Sequence, residues 1–393
     1  MRLLISAGEA SGEMYGAQLI EALRRRVPGL ECFGVGGERM QAAGCQLIVQ
    51  SKHLAVVGIT EILPRLPKIY GEFRKLLRAI DARKPDAAIL IDSPAFHFKV
   101  ARELHRRGIP VIYYVAPQLW AWRSGRVRLV RRYFKKALVI FPFEEQWYRE
   151  RGMDAEFVGH PLADARRPAI SREEFAQNED LDPQKTWIAL LPGSRRKEIS
   201  MNLATMIAAA RRLGPEYQFM LPIAPTVDSS WLQGEMRIAA GRSPLGIHIK
   251  LQTDARYTLA HARAAVVASG TATVEAAMMG TPMVVVYRVS PLTWALGRPL
   301  VHVKNFAMVN LIAGQEVIPE LIQANFTAEK VAAKLREILL DGPAREKMER
   351  DLDQVRARLK SGSDPGSAAE RAADAVLRIL ALERGPHDRG IAH

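Results

Sequence analysis

The sequence predicts an α/β protein with two doubly wound parallel sheets. Short runs rich in Val, Ile and Leu alternate with amphipathic stretches along nearly the whole chain, and almost no run has polar residues at every second position. Strands with this composition are covered by helices on both faces, as in βαβ units. The alternation starts again after Gly159-His160-Pro161, which indicates two domains.

The predicted strands form two series separated by amphipathic segments. The first series comprises Arg2–Ser6, Cys32–Val35, Ala87–Ile91, Val111–Val115, Leu138–Phe141 and Glu156–Val158. The second series comprises Trp187–Leu191, Gln218–Leu221, Ile247–Lys250, Ala265–Ala268 and Met283–Val286. The intervening segments predict helices, among them Gly16–Arg26, Pro67–Arg83, Ala95–Arg107 and Asn202–Leu213.

The polar segment Arg166–Lys185 carries no strand pattern and is therefore expected to join the two domains. We expect a first domain over 1–165 and a second over 166–345. Beyond Phe326 the pattern is helical, with predicted helices at Ala328–Leu340, Pro343–Lys360 and Ser367–Leu382.

Composition limits the class of partner. The 393 residues include 56 Lys and Arg against 42 Asp and Glu, a net charge of +14 that favours anionic partners. No helix-turn-helix, RNA-recognition or zinc-finger pattern is present, so we expect no nucleic acid. With only Cys32 and Cys45, and no signal peptide or membrane-spanning run, we expect a cytoplasmic protein whose membrane contact is peripheral.

Two carboxylates follow strands of the first series. Glu9 lies in the glycine-rich turn Ala7–Glu13, where carboxylates suit sugar hydroxyls better than phosphate; the alternative is a tight turn with helix-capping carboxylates. Asp92 follows Ala87–Ile91 and precedes a helix, so it is either a general base at the cleft or an N-cap. Ligands of open parallel sheets bind at the carboxyl ends of strands, where both residues lie.

Two loops of the second series have the composition of phosphate sites. Gly193-Ser194-Arg195 combines backbone N–H groups at a helix start with a cation. Ser269-Gly270-Thr271 permits close approach of a pyrophosphate to the next helix, on which Thr273 also lies. Glu275, one turn further, suits two vicinal ribose hydroxyls. No Walker A sequence or paired CxxC occurs, and we expect no metal and no cofactor.

Two further segments suggest surfaces. Leu54–Ile80 is apolar and basic together, which fits either core packing or docking to an anionic membrane. A basic cluster without acidic residues fits either a solvated helix face or a surface for an anionic partner. It comprises Arg123, Arg126, Arg128, Arg131, Arg132, Lys135 and Lys136.

Eight motifs in a fixed order resemble those of the lipid-A-disaccharide synthase family, glycosyltransferases of lipopolysaccharide synthesis. They are Ser6–Glu13, Ile91–Pro94, Ala116–Arg123, Phe157–Pro161, Leu191–Arg195, Ala268–Ala272, Asn310–Gly314 and Pro319–Gln323. The resemblance runs from about residue 3 to about residue 382. This chain has Glu13 where the family usually has Asp, His97 where Asn is expected, and Met308-Val309 where Pro is usual.

The resemblance implies two facing Rossmann-like domains of glycosyltransferase B type, with C-terminal helices over 346–385 returning to the first. It implies an inverting transfer without metal, from UDP-2,3-diacylglucosamine to 2,3-diacylglucosamine 1-phosphate, that gives a β-1′,6-linked disaccharide 1-phosphate and UDP. The first domain would bind the acceptor and the second the UDP-sugar. The enzyme would lie at the inner leaflet of the inner membrane, and a homodimer is left open.

Within that resemblance, we assign Asp92 as the base, with Glu9 orienting the acceptor or replacing Asp92. Arg195 and the helix start at Gly270 would neutralise the diphosphate, and Glu275 would hold the ribose. Asn310 and Gln315 are expected to line the cleft. The basic cluster Arg123–Lys136 would hold the acceptor's 1-phosphate and anionic head groups.

Two alternatives remain open from the sequence. One is another UDP-sugar enzyme of similar fold, a UDP-N-acetylglucosamine 2-epimerase or a peptidoglycan glycosyltransferase; dependence on acyl chains separates these from a lipid A enzyme. The other is a non-catalytic nucleotide-sugar or lipid-binding protein; a single turnover assay decides between this alternative and an enzyme.

Overall fold

The computed structural model describes residues 1–54, 59–164, 167–241, 246–298, 303, 305–360 and 366–384. Contacts group the chain into two compact units. Unit 1 comprises Met1–Asp164 and the chain from Leu359 onward, and unit 2 comprises Ala165–Arg358. The sequence placed the first boundary one residue later than the structure does.

Unit 1 contains a parallel seven-stranded sheet of order β3-β2-β1-β4-β5-β6-β7. Its strands are β1 Arg2–Ala7, β2 Glu31–Gly36, β3 Gln46–Gln50, β4 Ala87–Ile91, β5 Val111–Tyr114, β6 Lys136–Val139 and β7 Ala155–Phe157. Its helices before the junction are α1 Ala10–Arg26, α2 Glu38–Ala42, α3 Ile59–Arg83, α4 Pro94–Arg106, α5 Val127–Tyr133 and α6 Pro142–Arg149.

Unit 2 contains a parallel six-stranded sheet of order β10-β9-β8-β11-β12-β13. Its strands are β8 Thr186–Leu191, β9 Tyr217–Pro222, β10 His248–Gln252, β11 Ala264–Ala268, β12 Met283–Tyr287 and β13 Glu320–Ile322. The helices that follow the junction are α7 Arg172–Glu179, α8 Arg196–Leu213, α9 Ser229–Ala240, α10 Ala255–His261, α11 Thr271–Met278, α12 Pro291–Gly297, α13 Met308–Ala313, α14 Ala328–Leu339 and α15 Pro343–Leu359. The last helix, α16 Ala368–Arg384, belongs to unit 1.

Burial explains why the strands lack polar alternation. Every residue of β4 and of β11, which are central in their sheets, is buried. A strand covered by helices on both faces must be apolar at successive positions, because neither face meets water. The doubly wound prediction is therefore confirmed in both units.

The structure corrects several predicted elements. Strands β3 and β13 were missed: Gln46 and Gln50 leave the ends of the first polar, and the second is only three residues long. Strand β6 ends at Val139, before the predicted Phe141, because Phe141 is the N-cap of α6 and Pro142 starts that helix.

The junction and the C-terminal segment also differ from the sequence interpretation. The segment predicted as a linker contains α7, whose Phe175 ring lies 5.9 Å from the Trp187 ring between centroids, so it forms part of unit 2. Helix α15 as far as Arg358 also groups with unit 2, although 346–385 was expected to return to the first domain. The returning element is α16, which packs against α1.

None of the helices in the described segments combines the length and the apolar composition needed to cross a bilayer. Of the predicted apolar and basic stretch, residues 55–58 lie outside the description, as do the side chains of 59–66. Leu76 and Ile80 from its end are fully buried core residues of unit 1, whereas Tyr70 is 60% exposed.

Candidate functional site

Each of the two described sheets has a switch point, a pair of neighbouring strands from which the strand order proceeds outward to the two opposite edges of the sheet. In unit 1 the pair is β1 and β4, and in unit 2 it is β8 and β11. Loops that leave the carboxyl ends of such a pair diverge and form the crevice where ligands of doubly wound folds bind. The candidate residues of the sequence follow these four strands, except Asn310 and Gln315, which lie between β12 and β13.

In unit 1 the two carboxylate-bearing loops touch each other. Ala7 of β1 pairs with Ile91 of β4, so Gly8 and Asp92 start their loops side by side. A Cβ on Gly8 would lie 2.0 Å from the Ser93 hydroxyl oxygen, a contact that no other residue type could make without displacing the loop. Glu9, exposed at the N-cap of α1, therefore lies next to the Asp92 loop.

Asp92 has an unusual backbone. Asp92 and Ser93 both have positive φ, +55° and +47°, in the left-handed region that ordinary residues rarely occupy. Two hydrogen bonds hold this conformation through the Asp92 carbonyl oxygen: His97 Nδ1 lies 2.6 Å away and the Tyr113 hydroxyl donates at 3.1 Å. Strained residues held in this way concentrate at functional sites, which favours the general-base interpretation over a simple N-cap. The Ser93 side chain, at the N-cap itself, makes no cap hydrogen bond.

His97 is a buried support for Asp92. Because a carbonyl oxygen only accepts, Nδ1 must carry the proton, and Nε2 accepts from the Ser6 hydroxyl at 2.9 Å. Burial lowers the His97 pKa to about 4, so the ring is neutral near pH 7. Burial, together with the nearby Asp92, raises the Tyr113 pKa well above its usual value, which keeps the phenol protonated as a donor. Sequence reasoning could not separate this supporting role from direct participation.

Glu13 has a local structural partner. Its carboxylate accepts a hydrogen bond from the Arg39 backbone N–H at 2.9 Å, at the start of α2. A Cβ on Gly37 would lie 2.4 Å from that carboxylate. The longer Glu in place of the usual Asp thus reaches the first turn of α2.

The loop after β5 is held by a carboxyl group that the sequence analysis did not identify. Glu144, fully buried on α6, accepts from Trp120 Nε1 at 2.9 Å and from the Phe141 backbone N–H at 3.2 Å. Burial raises its pKa to about 8, although these hydrogen bonds oppose the shift. The Pro142 start with Glu two residues later was the available signal, since Glu at this position reaches back to the N-cap.

In unit 2, the predicted anion nest already holds a carboxylate. The backbone N–H groups of Ser194 and Arg195 donate to one Glu198 carboxylate oxygen at 3.1 and 3.3 Å, and Arg195 Nη1 donates to the other at 3.1 Å. Gly193 has φ +133°, and a Cβ there would meet the Glu198 side chain at 2.7 Å. The loop therefore binds the carboxylate of its own helix through two N–H groups and a guanidinium, and binding of a phosphate there stays a prediction.

The neighbouring loop begins α11. Ala265 to Ala268 pair along β12, and Val267 pairs with Leu191 of β8, so the Gly193 and Gly270 loops leave adjacent strands. Gly270 and Thr271 are exposed at the helix start, where free backbone N–H groups favour an anion. The Ser269 hydroxyl donates to the Phe306 carbonyl at 2.8 Å, which anchors the loop.

Thr273 and Asn310 are fully buried and bonded within the protein. Thr273 is fully buried and its hydroxyl donates to the Gly270 carbonyl at 2.8 Å, so it supports the turn. Asn310 is also fully buried: its amide NH2 donates to Ile318 O and Glu320 Oε1, and its carbonyl accepts the Val317 and Ile318 N–H groups. These bonds use the whole side chain, so the expectation that Asn310 lines the cleft is corrected to a structural role.

The two remaining candidates for the donor site are Gln315 and Glu275. Gln315 is exposed in the loop that Asn310 holds. Glu275 lies on α11 near Asp254 and Arg256; burial raises its pKa, Arg256 opposes the rise and Asp254 adds to it. The described segments contain no group of three or more His, Cys, Asp or Glu side chains placed to share a metal ion.

The predicted basic cluster is divided between two edges of the sheet. Arg123 follows β5 at the same edge as Asp92, whereas Lys135 directly precedes β6 at the opposite, amino edge. Strands of one parallel sheet share their direction, so Arg123 lies at the edge of Asp92 and Lys135 lies at the opposite edge. That the cluster holds the acceptor phosphate stays a prediction, and these positions favour its Arg123 end for that role.

Comparison with known sequences gives a match over nearly the whole chain. A family model described as lipid-A-disaccharide synthetase matches residues 3–375. Lipid-A-disaccharide synthase of Koribacter versatilis is 57% identical over 380 residues, covering 96% of this chain and 98% of the relative. The enzymes of the same description from Acidobacterium capsulatum and Myxococcus xanthus are 51% and 42% identical, covering 93% and 96% of this chain and 93% and 97% of theirs.

Solved structures with the same fold have low sequence identity. A UDP-GlcNAc 2-epimerase from Neisseria meningitidis bound to UDP-GlcNAc aligns with TM-score 0.65 and 11% identity, covering 97% of this chain and all of that one. The calicheamicin glycosyltransferase CalG4 aligns with TM-score 0.59 and 18% identity, covering 98% and 99%. At such identity they support the fold, and the predicted glycosyltransferase B type with two parallel-sheet α/β domains is confirmed.

Proposed function

This chain belongs to the lipid-A-disaccharide synthase family, and we propose that its two switch points divide the family's glycosyl transfer between them. The chain is a glycosyltransferase that joins UDP-2,3-diacylglucosamine to 2,3-diacylglucosamine 1-phosphate, with UDP as the leaving group. Unit 1 binds the acceptor and unit 2 binds the UDP-sugar. The observation that carries this division is chemical: paired carboxylates lie at one switch point and an anion nest at the other.

Asp92 is the proposed base that removes the proton of the acceptor hydroxyl. An inverting transfer requires the hydroxyl to attack opposite the departing UDP, so the base must be fixed on the acceptor side. The bonds from His97 and Tyr113 to the Asp92 carbonyl fix the main chain that carries the carboxylate. Glu9, on the adjoining loop, orients the acceptor or replaces Asp92. A positioned base typically accelerates transfer about 10²–10⁴-fold.

The nest of unit 2 is the proposed site of the diphosphate. Arg195, with its side chain 57% exposed, supplies a cation, and the Gly193-Ser194-Arg195 and Gly270-Thr271 backbones supply N–H donors. These groups stabilise the charge that develops on UDP as the glycosidic bond breaks. The diphosphate takes the position of the Glu198 carboxylate, so binding requires that side chain to rotate away. Glu275 holds the ribose hydroxyls, and Gln315 contacts the donor from its exposed loop.

The test is a transfer assay with both acylated substrates, each omitted in turn, that measures UDP release and disaccharide formation. Asp92→Asn should reduce kcat at least about 100-fold with nearly unchanged UDP affinity. Arg195→Ala should weaken UDP binding itself. Asp180→Asn, at a side chain that is 93% exposed, and Arg212→Ala, at an exposed arginine paired with Glu329, are the matched controls.

Each result has a defined meaning. Full activity of Asp92→Asn would remove Asp92 from the base role, and unchanged UDP affinity and rate in Arg195→Ala would displace the diphosphate site. Turnover of UDP-N-acetylglucosamine to its 2-epimer without an acylated acceptor would instead assign the chain the activity named for its structural neighbours. UDP binding without turnover would assign a carrier role.

We also propose that the enzyme lies on the cytoplasmic surface of the inner membrane through α3, because its substrates carry acyl chains. The exposed side of that helix bears Lys68, Tyr70, Arg74 and Lys75, and the Arg74 guanidinium lies 5.9 Å from the Tyr70 ring centroid. An aromatic ring among cations suits the interface of an anionic bilayer.

A further inference from the structure

A second basic site lies on unit 1, away from Asp92. A cavity of about 530 Å³ is formed by α5 and the turn before β7, and we call it the α5 pocket. Its cationic wall comprises Arg128, Arg131, Arg132 and Lys135, and its apolar wall includes Phe134 and Met153. Both apolar residues are buried, whereas all four cations are exposed to solvent.

The position of the α5 pocket separates it from the transfer reaction. Lys135 directly precedes β6, and Asp154, also in the wall, directly precedes β7, so the pocket lies at the amino ends of these strands. Asp92 follows the carboxyl end of β4 in the same parallel sheet. A molecule in the pocket is therefore on the opposite edge from an acceptor held by Asp92.

Three arginines of the pocket wall, Arg128, Arg131 and Arg132, form no ion pair within the described residues. Arg128, Arg131 and Arg132 occupy positions i, i+3 and i+4 of one helix, where like charges repel and destabilise the helix. Within the described part of the chain no carboxylate forms an ion pair with any of these three, whereas arginines elsewhere in unit 1, such as Arg26 and Arg107, do pair. An anionic ligand would supply the missing counter-charge.

Phosphate is the anion that best matches this wall. A guanidinium presents a planar fork of N–H donors that binds phosphate oxygens in pairs, and three such forks come from one helix. The volume lies within the usual range for small-molecule sites, which also supply apolar walls like Phe134 and Met153. Asp154 lies 3.5 Å from Lys136 Nζ, a cation outside the wall, which partly offsets its negative charge.

We propose that the α5 pocket binds the phosphate group of a ligand other than the two sugar substrates. The phosphate has two sources, a soluble phosphate ester or the head group of an anionic phospholipid. The site is thus a second anion site that goes beyond the proposed function.

The test uses the full-length chain and the triple variant Arg128→Gln, Arg131→Gln, Arg132→Gln. The matched control removes three cations from unit 2, of which one is half-buried and two are exposed: Lys334→Gln, Lys347→Gln and Arg350→Gln. In the soluble arm, pyrophosphate binding is measured by calorimetry with saturating UDP, which blocks the donor site. In the lipid arm, co-sedimentation is measured with phosphatidylcholine vesicles with and without phosphatidylglycerol.

We expect the triple variant, and not the control, to weaken binding about tenfold or more in one arm, since each cation near an anionic surface contributes about fivefold. Loss in the soluble arm assigns a phosphate ester, and loss in the lipid arm assigns a head group. Equal binding by the triple variant and the control in both arms overturns the proposal.

Transfer activity is a separate measurement on the same variant. The triple variant should transfer detergent-dispersed substrates within about twofold of the rate of the unmodified enzyme. A large loss of transfer in the folded triple variant would place the pocket in the acceptor site and would also overturn the proposal.

Should the triple variant fail to fold, Arg131→Gln alone repeats both arms. Its side chain lies against Gly152 at the pocket and is exposed, so the single change removes one cation from the wall without opening the core. If Arg131→Gln binds both pyrophosphate and phosphatidylglycerol vesicles as tightly as Lys347→Gln does, the proposal is overturned.

Discussion

Asp92 and Ser93 together place two left-handed residues at the end of a buried strand, an arrangement that costs about 1–3 kcal/mol for each residue. The cost is offset by the bonds from His97 and Tyr113 to one carbonyl oxygen. A loop whose only function was to start α4 would not need this geometry, because an ordinary N-cap residue has extended backbone. The strain is therefore consistent with the proposed role of Asp92 as the base.

Glu198 leads to the first prediction at this scale. Its carboxylate occupies the nest in which we place the UDP diphosphate, and like charges repel, so Glu198→Gln should tighten UDP binding about threefold to tenfold. Gln keeps an oxygen that can accept the Ser194 and Arg195 N–H bonds, so the helix start should persist. Calorimetry with UDP measures the change; Glu216→Gln, an acidic residue before β9, is the control. Weaker UDP binding in Glu198→Gln would mean that the carboxylate orients Arg195 for the diphosphate.

His97 leads to a prediction about pH. Its folded pKa of about 4 is below the value near 6.5 of an exposed histidine, so the unfolded state binds more protons between these pH values. Acidification from pH 6.5 to 4 should thus lower the free energy of unfolding of unit 1 by up to about 3 kcal/mol through this residue. In His97→Asn that contribution disappears, although the variant is less stable at pH 7 because the bonds to Ser6 and Asp92 change.

Urea unfolding at several pH values measures this contribution. The exposed His105→Asn, on the same helix, should retain the acid sensitivity of the unmodified chain. Some sensitivity also remains in His97→Asn, because buried His160 has a pKa lowered to about 3. An identical pH dependence of His97→Asn and the unmodified chain would contradict the neutral, buried assignment.

The sequence could identify loops at this scale but not the direction of each side chain. Gly193, Arg195 and Gly270 could be named as candidates because a phosphate site depends on backbone N–H groups and a long cation at a helix start; their role stays a prediction. Asn310 and Thr273 were misassigned because a polar residue in a ligand loop also serves to satisfy buried backbone groups, and composition does not distinguish the two uses. The Glu198 carboxylate was missed because it reaches the Ser194 and Arg195 N–H groups only once the first turn of α8 has formed.

Strands were the most predictable elements, since burial on both faces leaves a continuous apolar run. β4 was predicted with its observed bounds, and most other predicted strands differ by one or two residues at an end. The two missed strands, β3 and β13, lie at sheet edges. Each has one neighbouring strand and includes exposed or polar residues, so burial does not require a continuous apolar run there. Short α5 lies within the basic cluster, for which a solvated helix face was one of the two open interpretations.

Helix α3 leads to a prediction at the scale of elements. Lys68, Arg74 and Lys75 lie exposed on it, and each cation near an anionic surface contributes about 1 kcal/mol of binding. Replacing all three by Gln should weaken co-sedimentation with phosphatidylglycerol vesicles about 100-fold, and added salt should weaken binding of the unmodified chain in the same direction. The unit 2 variant of Lys334, Lys347 and Arg350 again controls for net charge. Equal vesicle binding by both variants would remove α3 from the docking surface.

At the scale of the molecule, both units follow one plan. The strand order places β1 beside β4 and β8 beside β11, so the first loop of each unit meets a loop contributed by a strand much later in the chain. The sequence predicted two doubly wound units because the series of apolar strands starts again after Pro161, but it did not predict the strand order. It did not predict where the chain returns to unit 1, since α15 and α16 have similar amphipathic patterns and only the contacts with α1 distinguish them.

Helix α16 closes unit 1 although more than half the chain separates it from its partners. Asp374 accepts bonds from the Arg26 guanidinium of α1, the Arg371 Nε donates to the Val158 carbonyl at 2.9 Å, and Val376 and Leu380 are buried. Deleting 367–393 should therefore destabilise unit 1 by at least about 3 kcal/mol, the order expected for exposing the surface that two buried aliphatic side chains cover.

Unit 2 loses no side chain of its own in that deletion, so we expect the UDP dissociation constant to stay within about twofold while transfer is lost. Hydrogen exchange should rise in β1, β4 and α1 and remain slow in β8 and β11, and UDP should still slow exchange around Gly193 and Gly270. A variant in which a flexible linker of the same length replaces 367–393 is the control for the loss of residues alone. Retained transfer activity in the deleted chain, or loss of UDP binding together with unit 1, would contradict the division of acceptor and donor functions between the two units.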